Sequence, residues 1–562
     1  MTRRLLPLVL SIATIPVLGI AACGDDGDSG AGAASVIPAD APLYIEAVVN
    51  PEGELEENLN NLTSSLGELP LIGRVEKPEE LIASQLDQAL SGSGLDISYS
   101  DDVQPWLGER VAVGYFFEDV DGQFEPERFI AALETTDEGA ARDLLTKVIE
   151  SDSVENEERE YEGVTYYTSG SDDYAVGVFD DHLVLTTVDD FETAVDTSRG
   201  GDSLAGSDEL TGALGQLDDN RLAALYFDLA QIAELAAASD DPEAEEIAAL
   251  QEIAPGLLGQ IAVGLGIGSD QVFVESATPL VEGQPEAGAT ELLATAPDDV
   301  LGAAGIADLG SFGDFFVDLF QDIGASSIDT DDEIPDDIRA AFEDEVGIPL
   351  DDVTGALGGA TIWARGQLPE ALKTSEIEVG GQIEMSDEKV AETLVGRLGK
   401  HIAEESGGKL KPPLSGAEIG FSIKTSSGDQ RPIADDSGDD LPFLNVEYAD
   451  GLVTYGFFRD RDAAGASVPP ADAGSFGETD AFATGEDLLG GDYELLGAAD
   501  VGALVTAGIA STGEDLLGGL GPSPEDIAAE IAADNLGVLA TGVRYDGDYA
   551  IQRLSLGIGA GE

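Results

Sequence analysis

Apolar positions change period along this chain, and the changes mark out its elements. From Val111 to Phe117 the sequence is rich in Val and aromatics, which predicts a strand. The segment EDVDGQFEPE then turns the chain, with Asp121-Gly122 suited to a tight hairpin, and RFIAALE from Arg128 is the expected returning strand. After Thr136 the period lengthens. Ala141, Leu144, Leu145, Val148 and Ile149 fall on one face of a helix, with Thr136-Asp137 as N-cap and Glu138 in the first turn. Further on, Ser386-Asp387-Glu388 repeats the cap and Val390, Leu394, Leu398 and Ile402 supply the apolar positions. YAVGVFDDHLVLTT and FLNVEYADGLVTYG each read as two strands joined at Asp-Asp or Asp-Gly, and closing hairpins are expected at Ser269-Asp270 and Asp546-Gly547. Antiparallel hairpins mixed with amphipathic helices, without regular βαβ alternation, predict an α+β fold.

These patterns occur twice. DDVQPWLGERVAVGYF begins at Asp101 and DDVTGALGGATIWARG at Asp351, an offset of 250 positions. The same offset carries Glu134, Asp137, Glu138, Ala141 and Leu144 onto Glu384, Asp387, Glu388, Ala391 and Leu394. Looser pairs follow in the same order with drifting offsets, as loop insertions produce. The expectation is two tandem copies of one domain, 36–285 and 286–562, joined at TPLVEGQPEAGATE.

The start of the chain obeys a different pattern. Arg3-Arg4 precedes an uncharged, mostly apolar run from Leu5 to Ile20, interrupted by Pro7 and Pro16. That layout suits a secretory signal better than a spanning helix, which needs roughly 20 apolar residues. Ile20-Ala21-Ala22-Cys23 resembles the lipobox of bacterial lipoproteins. In that family a diacylglycerol is attached to the cysteine thiol and a peptidase cleaves just before it. The resemblance implies residues 1–22 as signal peptide and Cys23 as lipid attachment site; an ordinary signal peptide with an incidental cysteine is the alternative. Residues 24–35, GDDGDSGAGAAS, are small, polar and acidic, so 23–35 reads as a flexible tether. The lipobox, the tether and the following IPADAPLYIEA together resemble the bacterial family known as domain of unknown function 3352. That resemblance implies the architecture and no activity.

Charge narrows the partners. The chain carries 113 Asp plus Glu against 25 Lys plus Arg, a net −88. Such a surface repels nucleic acid and anionic head groups, and high ionic strength would screen its self-repulsion. Cys23 is the only cysteine, so no intramolecular disulfide is possible.

Candidate chemistry is sparse. GDSL, Gly201 to Leu204, matches the short signature of a serine esterase and lipase family, with Ser203 as nucleophile. Yet no Asp-x-x-His follows it, and the only histidines are His182 and His401. Those two, with no usable cysteine, do not make a zinc set. His182 is expected as a solvated turn residue and His401 on the helix surface. DTDDEIPDD, Asp329 to Asp337, alternates oxygen ligands but lacks the turn glycine and closing Glu of a calcium loop. Phe312, Phe315, Phe316, Leu319, Phe320 and Ile323 follow helical spacing, with core packing as the first explanation and a ligand-facing wall as the second. Six lysines between Lys373 and Lys424 mark the least acidic stretch, read as a helix surface plus a loop.

These readings lead to a non-enzymatic protein without cofactor or metal. It is expected at the cell membrane on the extracytoplasmic face, held by lipid at Cys23. An envelope protein or a small apolar ligand is the expected partner. Carriage of a lipid-like ligand is the alternative function, and serine hydrolysis by Ser203 a remote one.

Overall fold

The computed structural model describes residues 31–67, 97–120, 123–151, 156–169, 174–238, 258–281, 283–285, 288, 291–325, 337–365, 378–406, 408–413, 417–424, 443–458, 474–501 and 536–558. The fold is α+β, and the chain divides into two compact units. One comprises Met1–Leu280 with Tyr545–Gln552, the other Val281–Arg544 with Arg553–Glu562.

In the first unit a short helix α1 (Ala31–Ala34) precedes β1 (Leu43–Val48) and α2 (Gly53–Gly67). A π-turn at Tyr99–Val103 leads into β2 (Leu107–Val120), β3 (Gln123–Thr135) and α3 (Glu138–Ser151). Then come β4 (Asn156–Tyr161), β5 (Val164–Ser169), β6 (Tyr174–Phe179) and β7 (His182–Thr187). Helices α4 (Val188–Ser198) and α5 (Asp208–Leu214) precede β8 (Arg221–Asp228) and α6 (Leu229–Ala237). β9 (Gln260–Ile267) and β10 (Gln271–Pro279) complete the series. The strands pair antiparallel in the order β4-β5-β6-β7-β3-β2-β1-β8-β9-β10.

Alternation along the strands sends side chains to two faces. Val176 and Val178 of β6 join Ala141, Leu144, Leu145 and Val148 of α3 in one core. Between them Gly177 faces the other way, where Phe191 of α4 packs so closely that a Cβ would lie 2.6 Å from its ring. Asp137 caps α3 as expected, its Oδ1 accepting from the Ala140 amide at 3.1 Å. β2 and β3 run beyond the expected strands, because their ladder continues to Val120 and Gln123. The expected turn residues Asp121-Gly122 lie outside the described residues.

One part of the expected tether is folded. Ala33 and Ala34 are buried, because small side chains let α1 approach the sheet, and Val36 and Ile37 at the start of the expected first domain are buried after them.

The second unit begins with α7 (Glu291–Thr295), β11 (Val300–Ile306) and α8 (Leu309–Ala325). Next are α9 (Ile338–Val346), α10 (Leu350–Thr354), β12 (Leu357–Arg365), β13 (Glu378–Met385) and α11 (Glu388–Ser406). β14 (Ile419–Lys424), β15 (Phe443–Ala449) and β16 (Leu452–Phe458) precede α12 (Asp480–Leu489) and β17 (Glu494–Asp500). β18 (Leu536–Asp546) and β19 (Tyr549–Ile558) follow across the expected Asp546-Gly547 turn, with Tyr545–Gln552 counted in the first unit. The spatial order β14-β15-β16-β13-β12-β11-β17-β18 is antiparallel throughout and runs, strand for strand, like β5-β6-β7-β3-β2-β1-β8-β9. α11 packs through Val390, Ala391 and Val395, whereas Leu398 is 45% exposed. Leu394 and Ile402 pack against the same core while half-buried, so three of the four expected apolar positions face it.

Candidate functional site

The first unit holds a cleft where β2 departs from regular pairing. Its register with β3 shifts between Leu107 and Val111, which frees the Arg110 amide from the ladder. Glu134 of β3 closes that gap, its Oε2 accepting from the Arg110 amide at 3.1 Å. Gly108 lies directly on Glu134; a Cβ there would stand 2.6 Å from the Glu134 Cβ. Above this bulge opens a cavity of about 370 Å³, lined by Glu52, Glu109, Glu134, Asp181 and His182, with Gly32 of α1 as one wall. Burial pushes the Glu109 carboxyl up, Arg110 pulls it down, and the nearby Glu134 and Glu52 carboxylates add to the rise.

The turn between β6 and β7 supplies the far side. Asp180 and Asp181 adopt left-handed backbone, φ 46° and 60°. Two contacts hold this conformation. Glu138 Oε1 accepts from the Asp181 amide at 3.0 Å, and the Thr135 amide donates to the Asp181 carbonyl at 2.8 Å. The first of these, helped by Arg142, sets the Glu138 carboxyl below its usual value despite partial burial.

His182 is not the solvated turn residue expected. It is only 6% exposed, covered by α1. Its Nδ1 lies 2.6 Å from the Asp180 carbonyl oxygen and its Nε2 3.1 Å from that of Gly32. Chemically the cleft offers carboxylates and carbonyls. It is built to accept hydrogen bonds and positive charge. Among the described residues no group of three or more His, Cys, Asp or Glu is placed to hold a metal ion.

A family model described as protein of unknown function (DUF3352) matches residues 8–406. The chain belongs to that family. No curated protein matches this DUF3352 chain. Crystal form I of TP0453 is similar to it at 10% identity over 46% of this chain and 83% of TP0453, with a TM-score of 0.25. Crystal form III gives 12% identity over the same shares and a TM-score of 0.23. Likeness at that level carries no argument about this DUF3352 protein.

The other residues singled out in the sequence do not converge on the cleft. Cys23 lies outside the described residues. Ser203 forms a backbone bridge with Pro38 and stands at the N-terminus of a 3-10 turn, Leu204–Gly206. Both ring nitrogens of His182 face carbonyl oxygens rather than the Ser203 hydroxyl. His401 is exposed on α11. Of the acidic loop, Asp337 is described, and it caps α9 by accepting from the Ala340 amide at 2.8 Å; 329–336 lie outside the described residues. Phe312 and Phe315 on α8 are half-buried and Phe316 is 48% exposed, so the aromatic stripe is only partly core. The side chains of Leu319, Phe320 and Ile323 lie outside the described set. Lys389, Lys400, Lys409 and Lys411 are exposed, as a surface reading requires. Among the described residues no helix is long and apolar enough to cross a membrane.

Glu134 and Gly32 were missed as site residues. The signal for Glu134 was its recurrence as Glu384, a carboxylate at the end of an apolar strand in both patterns. Glu384 does the same local job, accepting from the Gly359 amide at 2.9 Å.

Proposed function

We propose that this DUF3352 protein is a lipid-anchored, extracytoplasmic binding protein made of two copies of one α+β module. Cys23 is its lipid attachment site and the first unit's cleft its contact site. The observation that carries this reading is where the packed chain starts. Gly32 already walls the cleft, nine positions after Cys23, and Ala33 and Ala34 are buried. Nine residues span at most about 32 Å, so an anchor at Cys23 holds the cleft close to the bilayer surface. The duplication is supported by the matching strand orders and by matching local contacts. Pro38 bridges Ser203 as Pro297 bridges Ser475, and Glu134 and Glu384 both bind an amide in the neighbouring strand.

Metabolic palmitate labelling with membrane fractionation tests the anchor. Wild type should carry label and sediment with membranes, and Cys23→Ala should lose both. Label retained by Cys23→Ala defeats the reading. The binding role is tested by in-cell cross-linking of wild type beside Glu52→Gln/Glu109→Gln. An envelope partner captured by wild type and lost from the double variant supports the cleft; equal capture removes it. Exposed Phe316 beside Phe312 and Phe315 favours a second reading, carriage of an apolar ligand. Native mass spectrometry without a co-purifying lipid would count against it.

A further inference from the structure

The position of His182 carries a consequence for the N-terminal segment. Both of its ring nitrogens face carbonyl oxygens, those of Asp180 and Gly32. A carbonyl oxygen only accepts, and a neutral imidazole carries a single N–H. Both contacts are hydrogen bonds only when the ring is an imidazolium. On loss of one proton, a nitrogen lone pair is left facing a carbonyl lone pair, and a charge-assisted hydrogen bond is lost.

The two contacts are unequal. Asp180 is two residues away in the same turn, which Glu138 and Thr135 already hold. Gly32 is 150 residues away, and its carbonyl is the point where the β6–β7 turn grips α1. The remaining proton therefore stays on Nδ1 with the shorter, local bond, and the Gly32 contact is the one given up. Gly32 is suited to this position because a Cβ there would collide with Glu134 Oε1.

We propose that His182 is a pH-dependent latch. Its imidazolium holds residues 31–34 against the cleft, and its neutral form releases them, opening one wall of the site. The functional side of this rests on the cleft being the contact site proposed above.

The charged groups around the ring come from each neighbouring element. Glu134 of β3 pairs with His182 in register, and Asp180 and Asp181 flank it in the turn. From α3, Glu138 binds the Asp181 amide and Arg142 donates to the Val178 carbonyl. Arg199, past the end of α4, lies 3.8 Å from Asp180. Across the cavity stand Glu52 and Glu109, while α1 itself brings no charged side chain. Histidine is the side chain whose ordinary charge change falls between pH 5 and 8, which sets the range over which the latch is tested.

Amide hydrogen exchange on the full chain tests it, with rates corrected for the intrinsic pH dependence of exchange. The Ser35 and Ile37 amides, which donate to Gly32 and Ala34, report on the segment. Their protection should fall about tenfold from pH 5 to pH 8, the size of one lost charge-assisted hydrogen bond. His182→Gln should give a pH-independent profile. A flat profile in wild type, or the same slope in His182→Gln, overturns the proposal. Should the variant not fold, ring carbon and nitrogen shifts in wild type decide, with exposed His401 as internal reference. A doubly protonated His182 where the segment is protected supports the latch; a neutral ring under the same conditions overturns it. Because the readout is the segment and not a bound partner, a flat profile sinks the latch and leaves the cleft's binding role to the cross-linking experiment.

Discussion

The two units fill the same stretch of sheet with different residues. In the first, the large ring is Tyr44 on β1, opposite Gly114 on β2. In the second, it is Trp363 on β12, opposite Ala303 on β11. The volume is kept while the strand that supplies it changes. Beside Tyr44 the first unit buries charge. Glu46 accepts from the Tyr44 hydroxyl at 3.0 Å and lies 3.3 Å from Arg110 and 3.6 Å from Arg221. The register places Gly305 and Gly359 at the matching positions of the second unit, with no charge at either. Even where both units use an ion pair, the partners differ. Arg128 of β3 reaches Asp190 on α4, whereas Glu378, its counterpart on β13, pairs across the ladder with Arg365 at 2.7 Å. The same strand order thus forms with or without the Glu46 cluster, so the order is set by apolar alternation and hairpin lengths, and that cluster is a local addition.

The largest effect should come from breaking the charged cluster. Glu46→Ala leaves Arg110 and Arg221 facing each other in the interior and should cost about 3–5 kcal/mol in denaturant unfolding. A loss under about 1 kcal/mol would mean that water reaches both guanidinium groups, and the contrast between the units would weaken. Trp363→Ala should cost a similar amount, about 3–5 kcal/mol, through the cavity it leaves. If it costs much less, the second unit's ring is not the counterpart of Tyr44. Smaller and matched effects are expected at the caps. Asp137→Ala and Asp387→Ala should each lose about 0.5–2 kcal/mol, since both carboxylates accept from first-turn amides. Unequal losses would show that the two caps differ in local stability. The smallest effect is a pH profile. Glu138 has its carboxyl depressed by the Asp181 amide. Its stabilisation is therefore present above the unfolded carboxyl value near ~4.3 and lost as pH falls through the folded one. Thermal unfolding of wild type and Glu138→Gln should differ most at neutral pH and converge in acid; a constant difference would refute the assignment.

Local signals were legible in the chain, and their meeting points were not. Apolar runs joined at Asp-Asp gave β6 and β7, and period 3.6 gave α3, with Asp137 capping as read. These depend on neighbours within a few positions. His182 was misread because its cover, α1, lies 150 residues away, and turn composition says nothing of what packs over it. Residues 31–34 looked like tether for the same reason that they pack, since small side chains suit both solvent and close approach. The cleft arises from a one-strand register shift at Leu107/Val111, and alternation alone does not reveal a bulge.

The bridge between Pro38 and Ser203 bears on mechanics. The Leu204 amide donates to the Ile37 carbonyl at 2.7 Å and the Ala39 amide to the Asp202 carbonyl at 3.0 Å, so the segment behind α1 is stitched to the loop before α5. In a protein tugged through Cys23, tension would enter along this seam and be shared between these bonds before it reached β1. The Gly-Asp-Ser-Leu stretch would then serve as a strain relief, like the collar where a cable meets its plug.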